Sequence, residues 1–367
     1  MSEHFSDTEQ YEPSLVEPSS KTQGLTRRNV LKALAALSFT PSVYAQQGPG
    51  HVPVHKLHLF GLKVSDVERS VKFYQDIFGA PIQSRYGNTV CLRIGEGPMY
   101  FSISPTAGSE TPGISHIGLS VPDFNVDKIV AELSNHGFIR SPGLTPGRPK
   151  LSYAMKTWTH RRSHDAGHTR DLYLADMEGL VFQLCSTDHC GGGGNRGQAC
   201  DALEPSPTEG FIELVGINHF TNYMSNAPRA NAFYKELFGL DYLSYQGPNF
   251  PTVGVGDGKQ FLMYVGGQQE GTPTSPARID HVSMSVKDFD VEGILAKLSD
   301  YGLSAREDAS ETPPLSHWVS MRMANRGGAE EGTPELYFSD PDGIHIQLQH
   351  VDYCGGSGYL GDSCPAL

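Results

Sequence analysis

The sequence has little positive charge and no long hydrophobic run. Its 367 residues include 28 lysines and arginines against 41 aspartates and glutamates, which gives a formal net charge of −13. An acidic chain without a basic footprint argues against a nucleic-acid partner. No apolar stretch approaches the roughly 20 residues that cross a bilayer. The G-x-x-x-x-G-K-[ST] and G-x-S-x-G motifs are absent, so nothing supports a phosphate-binding loop or a nucleophile elbow.

Glycine and proline are plentiful instead. The chain has 41 glycines and 25 prolines, which indicates many turns and short elements of secondary structure. Its length is sufficient for two domains, each with a hydrophobic core of its own.

The first 45 residues have the order of an export signal. Residues 1–25 are polar and lack apolar periodicity, whereas Arg27 and Arg28 precede a short apolar stretch that ends in the small-residue site Val43-Tyr44-Ala45. The segment resembles a twin-arginine signal, which exports proteins after they fold. We therefore expect a periplasmic or secreted protein that begins near Gln46 and has no membrane anchor in its mature form. An amphipathic N-terminal helix is the alternative interpretation.

Two glycine-rich segments reveal an internal repeat. Residues 188–200 and 352–364 both fit the pattern D-x-C-G-G-x-G-x-x-G-x-x-C. Upstream, three further segments of one half match three of the other in the same order: 70–79, 113–124 and 172–179 match 230–239, 278–289 and 336–343. We predict two copies of one domain, residues 52–200 and 213–367, joined by a linker at 201–212.

Each copy is itself built from two similar halves. Every quarter of the chain begins with an alternating strand, continues with a helix that has apolar residues at i, i+3 and i+4 and ends near glycine, and closes with short strands. The pattern predicts an α+β fold made of four tandem βαβββ units.

Four of the six cysteines close the two glycine-rich segments. In an oxidising compartment we expect disulfides between Cys190 and Cys200 and between Cys354 and Cys364. Metal-binding loops are the alternative, but no histidine or second cysteine pair stands at zinc-ligand spacing around them. The other two cysteines, Cys91 and Cys185, lie in apolar strand-like stretches and are expected in the core.

The repeated quarter resembles the vicinal oxygen chelate superfamily, which includes glyoxalase I, the bleomycin-resistance proteins and the type I extradiol dioxygenases. The shared features are a histidine that opens a strand, a helix end Phe-Tyr-x-x-x-hydrophobic-Gly, and the turn Asp340-Pro341-Asp342-Gly343 before the last strand. The resemblance covers nearly all of residues 52–353. It implies that paired units form an open funnel in each domain, with a metal on the concave face.

In the second domain the resemblance implies three metal ligands. His219 and His281 open the first strands of the two units, and Gln347 stands where extradiol dioxygenases have a glutamate. Some glyoxalase I enzymes resemble this chain in using glutamine, and an amide oxygen can ligate a metal although it leaves the site more cationic than a carboxylate does. Glu335 or Glu330 is the alternative acid.

Three residues are candidates for contact with a substrate. Tyr337 lies where the extradiol family places a substrate-binding tyrosine; a partly buried strand tyrosine is the alternative. The histidine that the family has upstream is missing, and His317 is its nearest replacement. His345 shares a strand face with Gln347, because alternate side chains of a strand point the same way.

The first domain retains only part of this set. Its matching residues are His116, Gln183 and Tyr173, with His164 at the family's spacing upstream. Leu59 stands where the second domain has a histidine, and His58, one residue out of phase, is expected on the other face of the strand. We therefore predict that this copy is a degenerate scaffold.

Together these features predict an exported metal-dependent enzyme that is similar to extradiol ring-cleavage dioxygenases and acts on a small catechol-like substrate. One divalent metal per chain is implied, with Fe²⁺ favoured and Mn²⁺, Zn²⁺ or Cu²⁺ as alternatives. A protein that sequesters a small ligand, as bleomycin-resistance proteins do, and a glyoxalase-type lyase or isomerase are the other hypotheses. The substrate and the metal stay open, and a homo-oligomer is possible.

Overall fold

The computed structural model describes residues 50–142, 154–162, 169–256, 258–267, 276–308 and 310–364. The predicted signal at residues 1–45 and the candidate His164 lie outside these residues. The described residues form one compact unit with two nine-stranded sheets and four α-helices.

The first sheet contains the strands of the first repeat. They are β1 (Lys56–Val64), β2 (Ile82–Tyr86), β3 (Thr89–Arg93), β4 (Tyr100–Pro105), β5 (Gly113–Val121), β6 (Ile139–Arg140), β7 (Lys156–Arg161), β8 (Arg170–Ala175) and β9 (Val181–Ser186). Helix α1 (Val67–Phe78) follows β1 and helix α2 (Val126–Asn135) follows β5. The strand order is 2-3-4-1-5-9-8-7-6, with β1 parallel to β4 and antiparallel to β5. The two units therefore meet edge to edge along β1 and β5.

The second sheet repeats this arrangement. Its strands are β10 (Leu214–Tyr223), β11 (Tyr242–Tyr245), β12 (Pro251–Gly254), β13 (Phe261–Val265), β14 (Arg278–Val286), β15 (Ser304–Ala305), β16 (Ser316–Arg322), β17 (Thr333–Ser339) and β18 (His345–His350). Helices α3 (Ala227–Phe238) and α4 (Val291–Tyr301) follow β10 and β14. The order 11-12-13-10-14-18-17-16-15 matches the first sheet strand for strand.

Local sequence signals account for the helix boundaries. Asp66, Asn125 and Asn226 cap α1, α2 and α3, each accepting the backbone N–H of the residue three positions further on. Gly79 and Gly239 end α1 and α3 with φ angles of 63° and 64°, a left-handed conformation that glycine adopts without strain.

Alternation along the strands gives each sheet an apolar face and a polar face. On β18, Ile346 and Leu348 lie in the main hydrophobic core, whereas Gln347 lines a cavity on the other side of the sheet. The helices cover the apolar face, and one continuous core contains residues from both repeats. The polar faces are therefore the two concave surfaces on which a ligand can bind.

Two tyrosine–aspartate pairs join the repeats. Tyr74 of α1 donates a hydrogen bond to Asp340 in the second repeat (3.0 Å), and Tyr234 of α3 donates one to Asp176 in the first (2.7 Å). The second oxygen of Asp340 accepts two backbone N–H groups of its own turn. Burial raises the pKa of Asp340 to about 6. The Phe-Tyr helix end and the aspartate turn, which mark each repeat in the sequence, thus meet across the interface between repeats.

The two glycine-rich segments fold back over the polar faces, and we call them the first clip (residues 188–200) and the C-terminal clip (residues 352–364). Their predicted disulfides form, Cys190 with Cys200 and Cys354 with Cys364. Ser84 of β2 donates a hydrogen bond to the Cys190 carbonyl (3.2 Å), and Ser244 of β11 donates one to the Cys354 carbonyl (2.9 Å). Each clip therefore covers the half of the polar face that belongs to the first unit of its domain.

The prediction of an α+β fold with paired βαβββ units is confirmed. One detail differs, because the second unit of each domain adds a two-residue edge strand, β6 or β15. The free Cys91 and Cys185 are buried, as expected. Among the described residues no helix is long and apolar enough to cross a membrane. The exact domain boundaries drawn from the sequence stay a prediction.

Candidate metal and substrate site

The polar face of the second sheet contains a cavity of about 780 Å³. Three neighbouring strands, β10, β14 and β18, bring His219, His281 and Gln347 to its wall. The ring centroids of the two histidines lie 5.8 Å apart. The three ligands predicted from the sequence are therefore neighbours in space, although they come from positions far apart in the chain.

Both histidines use Nδ1 for a hydrogen bond to the side chain of the preceding residue. Nδ1 of His219 donates to the side-chain oxygen of Asn218 (2.7 Å), and Nδ1 of His281 donates to the carboxylate of Asp280 (3.0 Å). Each ring thus keeps the lone pair of Nε2 for another partner, and such outer hydrogen bonds are typical of histidines that ligate metals. Burial, reinforced by the neighbouring His281, lowers the pKa of His219 well below its ordinary value, which favours the neutral ring.

Unpartnered polar atoms are concentrated around these residues. Across the described chain, thirteen buried side-chain nitrogen and oxygen atoms have no hydrogen-bond partner, and six of them belong to His281, Ser283, Gln347 and Gln349. Buried polar atoms in proteins are normally paired, because leaving one unpaired costs about 1–3 kcal/mol. The free atoms include His281 Nε2 and both amide atoms of Gln347. Two imidazole nitrogens and an amide oxygen suit a divalent transition metal.

No carboxylate completes this set. In the residues that the structure describes, no three histidine, cysteine, aspartate or glutamate side chains are grouped so as to hold a metal. Glu335, the alternative acid, is held by Arg322 (2.9 Å) and by the hydroxyl of Tyr353 (3.0 Å), and Glu330 is exposed. The candidate ligands are therefore two imidazoles and an amide, without a carboxylate.

The ion pair between Arg322 and Glu335 also fastens the C-terminal clip. The Arg322 side chain is fully buried and donates to the carbonyls of Gly327 (2.8 Å) and Gly356 (3.0 Å) in addition to Glu335. Its counterpart in the first domain, Arg162, pairs with Asp171 and donates to the carbonyls of the first clip. The two arginines occupy equivalent positions of the two repeats, and the alignment of the repeats is the sequence signal that marks them.

Tyr337 and His345 line the cavity, whereas His317 does not. The Tyr337 ring packs edge to face on His281 (5.2 Å between centroids) and parallel to Trp318 (5.2 Å), and His345 meets Trp318 edge on (5.5 Å). His317 Nε2 lies 2.8 Å from the hydroxyl of Ser299 on α4, on the opposite side of the sheet. The prediction that His317 contacts a substrate is wrong, because alternation along β16 turns Trp318 toward the cavity instead.

Three arginines, Arg278, Arg306 and Arg326, also line the cavity. The guanidinium of Arg278 lies over the ring of Tyr223 (4.1 Å), and that of Arg306 lies over Trp318 (4.5 Å). We call these three residues the arginine rim. Of the acids that line the cavity, Glu335 is neutralised by the buried Arg322, and Asp280 is bound to His281 and Arg278. A cationic cavity in a chain of net charge −13 favours an anionic ligand.

In the first domain an apolar cluster occupies the equivalent position. Leu59 packs with Cys91, Tyr100 and Cys185 on the side of the sheet covered by the first clip. His116 and Tyr173 keep the edge-to-face contact of their counterparts (5.5 Å). With a leucine in place of one histidine, this copy lacks a ligand of the three-residue set.

His58 differs from its expected position. A β-bulge between Leu57 and Leu59 interrupts strict alternation, and His58 Nε2 lies 2.6 Å from the carbonyl of His189 in the first clip. The side chain therefore points toward the clip and not toward the helices, and burial lowers its pKa to about 3.

Comparisons with known proteins agree with this architecture. Residues 56–183 match the family described as the Glyoxalase/Bleomycin resistance protein/Dioxygenase superfamily. The matched residues lie within the first repeat, and the second repeat has the same strand order. No curated protein matches the sequence.

Two solved structures illustrate the shared fold. A glutamate-to-leucine mutant of homoprotocatechuate 2,3-dioxygenase from Brevibacterium fuscum is 16% identical and superposes with a TM-score of 0.55 over 82% of this chain and 72% of that chain. The Mn(II)-bound glyoxalase from Novosphingobium aromaticivorans is 15% identical, with a TM-score of 0.56 over 81% of this chain and 82% of that chain. At these identities the likeness establishes the fold.

Proposed function

We propose that the protein is an exported, metal-dependent enzyme, similar to extradiol dioxygenases, that acts on a small aromatic substrate with two vicinal oxygens. The observation that carries the proposal is a pair of histidines whose Nδ1 atoms are hydrogen-bonded, with the unpartnered Nε2 of His281 and the amide of Gln347 at the wall of one cavity. The two disulfides support export, because such bonds persist in oxidising compartments.

One divalent metal would be held by His219, His281 and Gln347, with Fe²⁺ favoured and Mn²⁺, Zn²⁺ or Cu²⁺ as alternatives. The glyoxalase described above contains Mn(II), so the fold accommodates a divalent metal in a relative. A bound metal supplies Lewis-acid stabilisation of negative charge on the substrate oxygens, and ferrous ion also activates dioxygen.

Side chains of the cavity would bind the substrate and exchange protons with it. The Tyr337 hydroxyl donates a hydrogen bond to a substrate oxygen beside His281, and the parallel Trp318 fixes the plane of its ring. The imidazole of His345, on the same strand face as Gln347, is the candidate that exchanges a proton with the substrate. His317 has no part in this scheme because it faces α4.

The arginine rim suggests a carboxylate on the substrate. Guanidinium groups bind carboxylates through paired, charge-assisted hydrogen bonds. Stacking on Trp318 and Tyr223 restricts the Arg306 and Arg278 groups before any ligand binds, which lowers the entropic cost of recognition. We therefore favour an aromatic acid over a neutral catechol.

The structure favours a dioxygenase over a glyoxalase-type enzyme. A fourth ligand on β13 would have to come from Phe261, Met263 or Val265, and none of them carries an acid. Phe261 instead stacks on His219 with 4.2 Å between ring centroids.

A protein that sequesters its ligand is the second candidate. The neutral Gln347 favours it because the site lacks the carboxylate of the extradiol enzymes.

Oxygen uptake tests the proposal. Metal-free protein is loaded anaerobically with Fe²⁺, mixed with 3,4-dihydroxyphenylacetate and exposed to oxygen, and the products are analysed by mass spectrometry. We expect oxygen consumption and a product that contains both oxygen atoms, lost in His219→Ala/His281→Ala and retained in His116→Ala. Tight ligand binding without turnover would favour sequestration, and neither binding nor turnover would contradict both candidates.

A further inference from the structure

We propose that the C-terminal clip sets the tautomer of His219 and so prepares the metal site, with Asn218 and the backbone of Tyr353 as positioning groups. The inference deepens the proposed function and rests on it for the role of the metal. Its starting point is a pair of short contacts: Asn218 donates its side-chain amide N–H to the Tyr353 carbonyl (2.7 Å), and its side-chain oxygen faces Nδ1 of His219 (2.7 Å).

These two contacts fix the position of one proton. A backbone carbonyl only accepts hydrogen bonds, so the amide of Asn218 must turn its NH₂ group toward Tyr353 and its oxygen toward His219. An amide oxygen also only accepts, so Nδ1 of His219 must carry the hydrogen. Nε2 is then left with its lone pair, which is the form that ligates a metal.

The clip also holds the imidazole ring in place. The Tyr353 ring stacks on His219 with 5.6 Å between centroids and an interplanar angle of 25°. Its hydroxyl donates to Glu335 (3.0 Å) and accepts from Gln246 (3.0 Å), and the side chain is fully buried. His219 therefore has a defined ring orientation as well as a defined tautomer.

Covalent and ionic contacts keep the clip against the sheet. The disulfide between Cys354 and Cys364 begins at the residue after Tyr353, and Arg322 donates to the carbonyl of Gly356 two residues further on (3.0 Å). Because both contacts lie next to Tyr353, loss of the disulfide should loosen the carbonyl that orients Asn218.

The first domain provides a natural contrast. His58 takes the place of Asn218 and binds the carbonyl of His189, which corresponds to Tyr353. The next residue is Leu59, whose aliphatic side chain has no ring nitrogen that could carry a proton. The contact between clip and strand therefore occurs in both repeats, but only in the second does it end on a candidate metal ligand.

The test combines a proton readout with a metal readout on the mature protein. Nitrogen-15 NMR of the metal-free protein reports which ring nitrogen of His219 is protonated, and competition titration with Zn²⁺ gives the dissociation constant. Asn218→Leu removes both hydrogen bonds. Cys354→Ser/Cys364→Ser loosens the C-terminal clip, and Cys190→Ser/Cys200→Ser is the matched control in the other repeat.

We expect the Nδ1–H tautomer in the wild type and a mixture of tautomers in Asn218→Leu, with Zn²⁺ affinity weaker by about 10- to 100-fold. The Cys354→Ser/Cys364→Ser variant should weaken Zn²⁺ binding several-fold, whereas the control should not. Asn218→Asp, which keeps an acceptor for Nδ1 without needing the carbonyl of Tyr353, should restore the affinity in the Cys354→Ser/Cys364→Ser background.

Two results would overturn the inference. One is an Asn218→Leu variant in which the tautomer of His219 and the dissociation constant for Zn²⁺ equal those of the wild type. The other is an equal loss of Zn²⁺ affinity in Cys354→Ser/Cys364→Ser and in Cys190→Ser/Cys200→Ser. A wild type with the Nδ1–H tautomer that binds no metal would instead contradict the proposed function and leave the positioning of His219 standing. The NMR readout therefore separates the two failures.

Discussion

Replacement of Gln347 by leucine should stabilise the metal-free protein. Both amide atoms of Gln347 are buried and lack a hydrogen bond of normal geometry among the described residues, although the amide lies beside the His219 imidazole. A buried, unpaired polar group costs about 1–3 kcal/mol of folding free energy. Leucine has a similar volume and no polar atom, so Gln347→Leu removes this cost while it removes a ligand of the candidate metal site.

Gln183 provides a matched control, for which we expect the opposite change in stability. Gln183, the equivalent residue of the first domain, donates a hydrogen bond to Asp171 (3.3 Å). Gln183→Leu loses that bond and should destabilise the protein by about 1 kcal/mol. For Gln347→Leu we expect a gain of about 1–3 kcal/mol, which corresponds to a rise of several degrees in Tm for a chain of this size.

Thermal unfolding in the presence of a chelator, followed by titration with Zn²⁺, measures both effects. Wild type and Gln183→Leu should gain Tm on addition of metal, and Gln347→Leu should gain little, because only a ligand that binds the folded state stabilises it. If Gln347→Leu lowers the Tm of the metal-free protein as Gln183→Leu does, the amide has partners and the argument from unpaired atoms fails.

Three further predictions concern the rest of the molecule. Burial raises the pKa of Asp340 to about 6, so this residue contributes stability that is present below its unfolded pKa and lost as the pH rises through 6. Relative to Asp340→Asn, the unfolding free energy of the wild type should fall by up to about 3 kcal/mol between pH 4 and 7 in denaturant titrations. A difference that does not change with pH would contradict this. Tyr337→Phe should lower turnover of a catechol acid by about 100-fold with unchanged metal content; an unchanged rate would remove Tyr337 from the chemistry. In calorimetry, Arg306→Gln should weaken binding of 3,4-dihydroxyphenylacetate about tenfold and leave binding of catechol unchanged. The substitution Arg140→Gln at an exposed position is the control. Equal losses of affinity for both ligands would argue against recognition of a carboxylate.

The sequence predicts the architecture because each repeat contains consistent local signals. The caps Asp66 and Asn226, the terminal glycines of α1 and α3, and the alternation along β18 each determine a local structure without reference to the rest of the chain. Strand alternation also placed Gln347 on the polar face. The neighbouring positions of His219 and His281 followed from the repeat, since equivalent residues of paired units face the same funnel.

The features missed by the sequence depend on contacts between distant segments. The face that His317 takes depends on how β16 pairs with β17, which places Trp318 opposite Tyr337, and a β-bulge moved His58 out of its expected position. The arginine rim unites residues that come from separate loops and strands. The link from Tyr353 through Asn218 to His219 requires the C-terminal clip to fold back over β10, and no local pattern indicates that return.

The central claim is a metal site in the second domain, and metal content tests it most directly. Mature protein produced through its own export route is analysed for iron, manganese, copper and zinc by mass spectrometry, beside His219→Ala/His281→Ala and His116→Ala. We predict close to one divalent metal per chain in the wild type and in His116→Ala, and almost none in the double variant. A wild type that is free of metal and takes up none when it is added, or a double variant that keeps its metal, would contradict the account.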